Sequence, residues 1–171
     1  LYRACEDGAE AVYGGLETIL RDNYHYWLQR GSFHVEYGKL FLAENFINQA
    51  HSMEPTDPYV IVERCYLNLK MAHTYPKKTD SEKMANDAIE DLVEVISRKG
   101  KTNYHPFHVL GSQGLSWSRK GTLTVGKRLE LLSLLQKKVK EGIDLHPGRG
   151  ELRQLLEDLK KEYLLVGTGA Q

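Results

Sequence analysis

The sequence lacks several features that mark particular classes of protein. Only 2 of its 171 residues are cysteine, and Cys5 and Cys65 match no metal-binding or redox spacing. This predicts two reduced thiols in a cytosolic protein. No apolar run approaches the length of a transmembrane span. The start "LYRACEDGAEAVYGGLETIL" carries early acidic residues and no apolar core, so it does not have the form of a signal peptide.

The sequence also has no excess of charge of either sign. Its 23 basic and 23 acidic side chains cancel, so no overall basic field favours nucleic acid or an anionic membrane. The basic stretches "RKGK" and "KKVK" are typical of solvated helix faces, because acids are interleaved with them. We therefore expect neither nucleic acid nor membrane as a partner. A composition of 41% hydrophobic and 27% charged residues is typical of a globular domain.

Motifs for catalysis and cofactor binding are missing as well. "GSQGLSW" has two glycines, but no Lys-Ser/Thr pair follows it, so it is not a phosphate-binding loop. His105 and His108 are three positions apart, with no Cys or carboxylate at a supporting offset for a metal site. We expect no catalysis, no cofactor and no metal in this segment. An enzyme with an unrecognised site would need convergent polar groups in a deep pocket, and the sequence names no such set.

Helical periodicity runs through almost every segment, and strand alternation is absent, which predicts an all-α fold. Asn23 is a candidate N-cap, and Asp57-Pro58 places an acidic cap before a proline at the first helical position. The predicted helices cover about 6–21, 23–37, 39–53, 58–73, 82–98, 106–121, 123–145 and 151–165.

Small residues recur in register along these helices. Three pairs of small residues have a spacing of seven positions within each pair: Gly31 and Gly38, Cys65 and Ala72, Gly114 and Gly121. A large apolar residue stands four positions before the first member of each pair: Trp27, Ile61 and Leu110. Glycine in a helix costs about 1 kcal/mol relative to alanine, so glycines in register need a physical reason. We expect that reason to be close packing of a partner helix in each hairpin.

The first of these units resembles a tetratricopeptide repeat. The matching positions are Trp27, Gly31, Gly38, Leu40, Ala43, Ile47, Ala50 and Pro55. Arg30 and His34 depart from the pattern, which usually has Leu and an aromatic residue there. The burial of His34 in the core is the simplest expectation at such a position. The resemblance implies a short, irregular solenoid of antiparallel helix hairpins with a C-terminal capping helix.

This resemblance also implies a division of the chain. Residues 1–22 would be a helix from a preceding unit, and 23–166 a tetratricopeptide-like domain. Its hairpins would cover about 23–56, 57–99 and 105–146, with a capping helix at 150–166 and a flexible tail at 167–171. The chain starts at Leu1 and not at methionine, so we expect it to be a piece of a longer protein.

In repeats of this type the first helix of each hairpin lines a concave groove, which implies a protein partner. We expect Tyr59, Tyr66 and Leu115 at the centre of the contact, with Lys70, Arg119 and Glu36 setting register and association rate. The implied partner-binding residues are His25, Leu28, Val35, Glu36, Tyr59, Val62, Tyr66, Leu69, Lys70, His108, Leu115 and Arg119. In the alternative, several of them simply pack against the extra N-terminal helix or within the hairpins.

Two longer stretches, "YHYWLQRGSFHVEYGKLFLAENFINQA" and "HPFHVLGSQGLSWSRKG", resemble the C-terminal helical regions of bacterial STAND-type NTPases and related antiphage defence proteins. The resemblance implies a sensor or scaffold segment of a larger protein that binds a foreign protein, such as a phage component. The alternative is structural: an intramolecular packing or oligomerisation region without an external ligand, which would expose an apolar patch for self-association or for another domain.

Overall fold

The computed structural model describes residues 2–77, 80–98, 103–120 and 122–169. Over these ranges the chain forms eight α-helices and no strand, which confirms the all-α prediction. The helices are α1 (Tyr2–Leu20), α2 (Tyr24–Glu36), α3 (Leu40–Met53), α4 (Pro58–Thr74), α5 (Ser81–Arg98), α6 (His105–Lys120), α7 (Val125–Leu145) and α8 (Gly150–Thr168).

The predicted helix starts at Asn23 and Asp57 are confirmed by their side-chain caps. Asn23 Oδ1 accepts a hydrogen bond of 2.9 Å from the backbone N–H of His25. Asp57 Oδ1 accepts from the N–H groups of Tyr59 and Val60, at 2.7 and 3.3 Å. Each cap pairs N–H groups that the first helical turn leaves without a partner. α8 continues through Thr168, beyond the predicted start of the flexible tail.

The chain divides into two compact units, Leu1–Leu67 and Asn68–Gln171, and the division falls within α4. We call them unit 1 and unit 2. Adjacent helices pack in pairs in both, as helical hairpins require. The predicted division into 1–22 and 23–166 stays a prediction.

In unit 1, α2 and α3 form a hairpin that depends on small residues. A Cβ atom on Gly31 would lie 2.5 Å from Ile47 Cγ1 and 3.2 Å from the Ile47 backbone nitrogen, so only glycine allows this approach. Ala43 and Ala50 are fully buried on α3. The rings of Trp27 and Phe46 are stacked with centroids 5.9 Å apart. The close packing expected at Gly31 is therefore confirmed.

Gly38 has a different reason for being glycine. The sequence pattern placed it within the second helix as a packing residue, but α2 ends at Glu36. Gly38 has a φ of +74°, and a Cβ there would meet nothing within 4 Å. Glycine is favoured because it adopts the left-handed conformation without a steric cost after a helix end. The packing role expected for Gly38 is wrong.

In unit 2, α6 packs against α5, α7 and α8. A Cβ on Gly114 would lie 2.8 Å from Leu135 of α7, and a Cβ on Gly111 would lie 2.6 Å from both Val139 of α7 and Leu155 of α8. Small residues on α6 thus let two helices approach it closely. The predicted partner of Gly114 in the repeat, Gly121, lies outside the described residues.

The apolar periodicity of α8 predicts a buried stripe of five side chains: Leu152, Leu155, Leu156, Leu159 and Tyr163. Leu152, Leu155 and Leu159 are buried, but Leu156 is only half-buried and Tyr163 is 38% exposed. The neighbouring Glu162 is buried instead. Periodicity alone missed this because it gives no weight to a charged residue that has partners inside the fold.

Candidate partner-binding surface

Five of the residues expected to contact a partner are buried in the structure. They are Leu28, Val35 and Val62 in unit 1, and Leu69 and Leu115 in unit 2. Leu28, for example, forms a core cluster with Ala50 and Val60. As folded, these five side chains hold their own units together and present no surface to a partner. Leu28 contacts Val60 of α4 as well as Ala50 of its own hairpin, so its packing extends beyond the α2–α3 pair.

The remaining predicted residues of unit 1 lie along α2 and the first part of α4: His25, Glu36, Tyr59 and Tyr66. Together with Ser32 and Glu63, which are outside that predicted set, they form a surface that we call the α2–α4 face. Tyr59 is 56% exposed, and His25 and Glu36 are also exposed. The structure brings two of the predicted residues, Glu36 and Tyr66, into direct contact.

Hydrogen bonds fix one end of the α2–α4 face. The Tyr66 hydroxyl donates to Glu36 Oε1 at 2.6 Å, and the Ser32 hydroxyl lies 2.7 Å from Glu63 Oε2. Burial raises the pKa of Tyr66, and the hydrogen bond and charge of Glu36 raise it further. The hydroxyl therefore stays protonated as a donor and holds the aromatic ring in a defined position.

The other end of the face is organised around Asp57. Its Oδ2 accepts a hydrogen bond of 2.9 Å from the Tyr24 hydroxyl, while its Oδ1 caps α4 just before Tyr59. The ring of His25 lies on Tyr24 with centroids 4.0 Å apart. A single carboxylate thus links α2 to α4 and positions His25 and Tyr59 on a rigid frame.

Three of the predicted positions in unit 2 are polar: Lys70, His108 and Arg119. Lys70 and His108 are half-buried, and Arg119 is exposed. Burial lowers the pKa of His108, and the charge of His105 lowers it further. Arg119 Nε donates to Glu162 Oε2 at 2.7 Å, so its charge is already engaged within the unit.

Glu162 is a buried charge that the sequence reasoning missed. Arg128 binds its second oxygen at 2.5 Å, beside the Arg119 contact. Burial raises the pKa of Glu162, but the hydrogen bonds and charges of the two arginines outweigh it, and the net pKa is lowered. The cluster satisfies a carboxylate that would otherwise be costly to bury.

A second polar cluster lies at the two positions where the first repeat departs from its pattern. Arg30 is buried and binds Glu10 and Glu17, both on α1, the second at 2.8 Å. His34 is 1% exposed, with Nε2 at 3.0 Å from Glu10 Oε2. The expectation of a core histidine is confirmed. The sequence signal that could have located this cluster is the presence of an arginine at a position that the repeat usually fills with leucine. An arginine that is buried there requires carboxylate partners.

The described residues contain no group of three or more His, Cys, Asp or Glu side chains placed to hold a metal ion. None of the helices over the same ranges combines the length and apolarity that a membrane crossing requires.

The chain matches no protein-family model, no curated protein and no solved structure. The tetratricopeptide-type pattern therefore stays a prediction, and it is carried by the residues between Trp27 and Pro55.

Proposed function

We propose that this chain is a non-catalytic protein-recognition module, the tetratricopeptide-like sensor or scaffold segment of a larger cytoplasmic protein. The partner is a protein that binds the α2–α4 face of unit 1. In keeping with the resemblance to STAND-type NTPases, that partner is a foreign protein such as a phage component.

The observation that carries this proposal is the exposed Tyr59 on a face whose other groups are held in place. A tyrosine supplies a large apolar contact area together with a hydroxyl, at a low entropic cost. Tyr66 is fixed by Glu36 at 2.6 Å, so little further ordering is needed on binding. Interfaces of this kind combine aromatic anchors with a polar rim.

The acidic groups of the α2–α4 face indicate the chemistry of its partner. Glu36 and Glu63 each accept a hydrogen bond from a neighbouring side chain, and their carboxylates give this face two negative charges. Charged groups at a rim steer association more than they add affinity. A partner with basic or amide groups around an apolar centre therefore fits this face.

Site-specific crosslinking tests this proposal directly. A photo-crosslinking amino acid replaces Tyr59, and the chain is expressed in bacterial cells with and without phage infection. We expect one defined crosslinked protein, identified by mass spectrometry. The matched control places the same amino acid at Phe41 on α3, which is 57% exposed against 56% for Tyr59.

The control also defines the contrary result. Equal crosslinking from both positions would show nonspecific binding. The absence of any crosslink from position 59 under both conditions would contradict recognition by this face. A crosslink that appears only after infection would support the sensor role. One that is present without infection would support a scaffold within the cell.

A second candidate function, packing or self-association, is favoured by α1. Its side chains Val12, Leu16 and Ile19 lie at helical spacing and are 61%, 38% and 76% exposed. An exposed apolar stripe of this kind is typical of a surface that another copy or another domain covers. Light scattering separates the candidates. Self-association that is lost in Val12→Glu with Ile19→Glu, and kept in the exposed unit 2 control Val125→Glu, would favour this function.

A further inference from the structure

A groove between α5 and α7 in unit 2 is a second apolar surface, and it has no role in the proposed function of the α2–α4 face. Its volume is about 370 Å³, and it is lined by side chains of both helices and by Leu123. Leu123, Leu131 and Leu134 are only partly buried, while Ile89 closes the floor at 7% exposure. Both helices pack on α6, and α7 also packs on α8.

The rim of this α5–α7 groove is acidic. Lys127 and Glu82 form an ion pair of 2.6 Å between the two helices, so this pair contributes no net charge. Glu90 on α5 and Glu130 on α7 remain, one carboxylate from each helix. Three carboxylates against one ammonium group give the groove a net negative charge.

We propose that the α5–α7 groove docks a helical segment of a partner protein whose apolar stripe is flanked by lysine or arginine. An amphipathic helix places apolar residues at spacings of three and four, which suits a groove that runs between two helices. Basic residues on either side of that stripe would meet Glu90 and Glu130. Complementary charge sets the orientation and speeds association.

Two further carboxylates of α5 lie outside the groove. Asp87 and Asp91 are exposed and do not line it. The proposed contact therefore rests on Glu90 and Glu130 alone. The proposal does not depend on the α2–α4 face, because every residue that it uses lies in unit 2.

A designed peptide tests the proposal with the whole chain. The probe is a fluorescent synthetic peptide of about fourteen residues, roughly four helical turns, with leucines in one stripe and lysines on both sides. Fluorescence anisotropy at about 0.15 M salt, where the Debye length is about 8 Å, should show saturable binding. Glu90→Lys with Glu130→Lys should weaken it roughly tenfold, because two attractive pairs become repulsive.

The matched control makes the same change of charge on the other side of α5. Asp87→Lys with Asp91→Lys should change the affinity by no more than about twofold, because exposed charges farther away are screened. Circular dichroism checks that both double variants are folded. A second probe with glutamate in place of every lysine should not bind.

Four results would overturn the proposal. They are no saturable binding, equal binding of the lysine and glutamate probes, equal weakening in the two double variants, and a groove occupied by a second copy of the chain. The last would appear in sedimentation as concentration-dependent association that Glu90→Lys with Glu130→Lys abolishes.

Discussion

Gly31 and Gly15 are both helical glycines of unit 1, but their surroundings differ. A Cβ on Gly31 would lie within 2.5 Å of the Ile47 side chain, whereas one on Gly15 would meet nothing within 4 Å. The recurrence of small residues in the sequence predicted this role for Gly31. The sequence could not assign the role of Gly38, because spacing does not distinguish a packing glycine from a left-handed one.

These two glycines give a paired prediction on stability. Gly31→Ala should destabilise the fold by about 1–3 kcal/mol, because the added methyl group forces α2 and α3 apart. Gly15→Ala should stabilise it by up to about 1 kcal/mol through helix propensity. Urea unfolding followed by circular dichroism measures both. If Gly31→Ala proved as stable as the parent chain, close packing would not explain that glycine.

Leu69 and Tyr59 were predicted to share one groove, yet one is 0% and the other 56% exposed. Leu69→Ala should cost about 2–5 kcal/mol in the free energy of unfolding, because it leaves a cavity in the core of unit 2. Tyr59→Ala should cost less than about 0.5 kcal/mol. Chemical denaturation of the two variants distinguishes a packing residue from a recognition residue, and similar costs would contradict the assignment.

At the scale of the helix, polar groups join α1 to α2 beside the aromatic contacts that Tyr13 makes with Tyr26 and Phe33. Arg30 of α2 binds Glu10 and Glu17 of α1, and the Tyr26 hydroxyl donates to the Tyr13 carbonyl oxygen at 2.8 Å. The sequence predicted both helices and the N-cap of α2, but not this interaction. Helical periodicity locates apolar faces, whereas a buried ion pair depends on which helices meet.

Replacing Arg30 with the leucine that the repeat pattern favours should loosen α1. In Arg30→Leu, Glu10 and Glu17 lose their cationic partner, and the aliphatic side chain cannot replace those hydrogen bonds. Hydrogen exchange by mass spectrometry compares this variant with the parent chain. The exchange rate should increase more in α1 than in the α2–α3 hairpin. Arg21→Leu, an exposed change on the turn after α1, serves as the control. Unchanged protection of α1 in Arg30→Leu would contradict this account.

The same cluster predicts that acid weakens unit 1. Burial lowers the pKa of His34 below 6.5, against the opposing effect of Glu10. The neutral ring is therefore favoured in the folded chain, and the unfolded chain takes up more protons. The stability contributed by His34 is complete above pH 6.5 and is lost as the pH falls through its lowered folded value.

Glu10 adds to this acid sensitivity at lower pH. Burial raises its pKa, but Arg30 and His34 outweigh burial, so the net pKa lies below 4.5. Its contribution is complete above pH 4.5 and is lost as the pH falls further. Amide exchange of α2 at pH 7 and pH 5 should show weaker protection in acid, and His34→Gln should reduce that difference. If His34→Gln kept the full difference in protection between pH 7 and pH 5, other groups would be responsible for it. His25→Gln, at an exposed position, is the control and should leave that difference unchanged.

At the scale of the whole molecule, the sequence predicted the fold class and the order of the helices well. Local signals carry that information: caps such as Asn23, breaks such as Pro55 and apolar periodicity. The candidate site was predicted less well. A family position such as Val35 was expected to face a partner, but the structure buries it completely. Which side of a helix is covered depends on the neighbours of that particular chain, and a single sequence does not contain that arrangement explicitly.

The most direct test of recognition by the α2–α4 face is the affinity of the protein that crosslinks at Tyr59. Isothermal titration calorimetry compares the parent chain with Tyr59→Ala and with Phe41→Ala, two aromatic residues that are 56% and 57% exposed. Loss of an aromatic anchor should weaken binding at least about tenfold in Tyr59→Ala and leave Phe41→Ala within about twofold. Equal affinities for the parent chain and Tyr59→Ala, with both folded, would contradict the account.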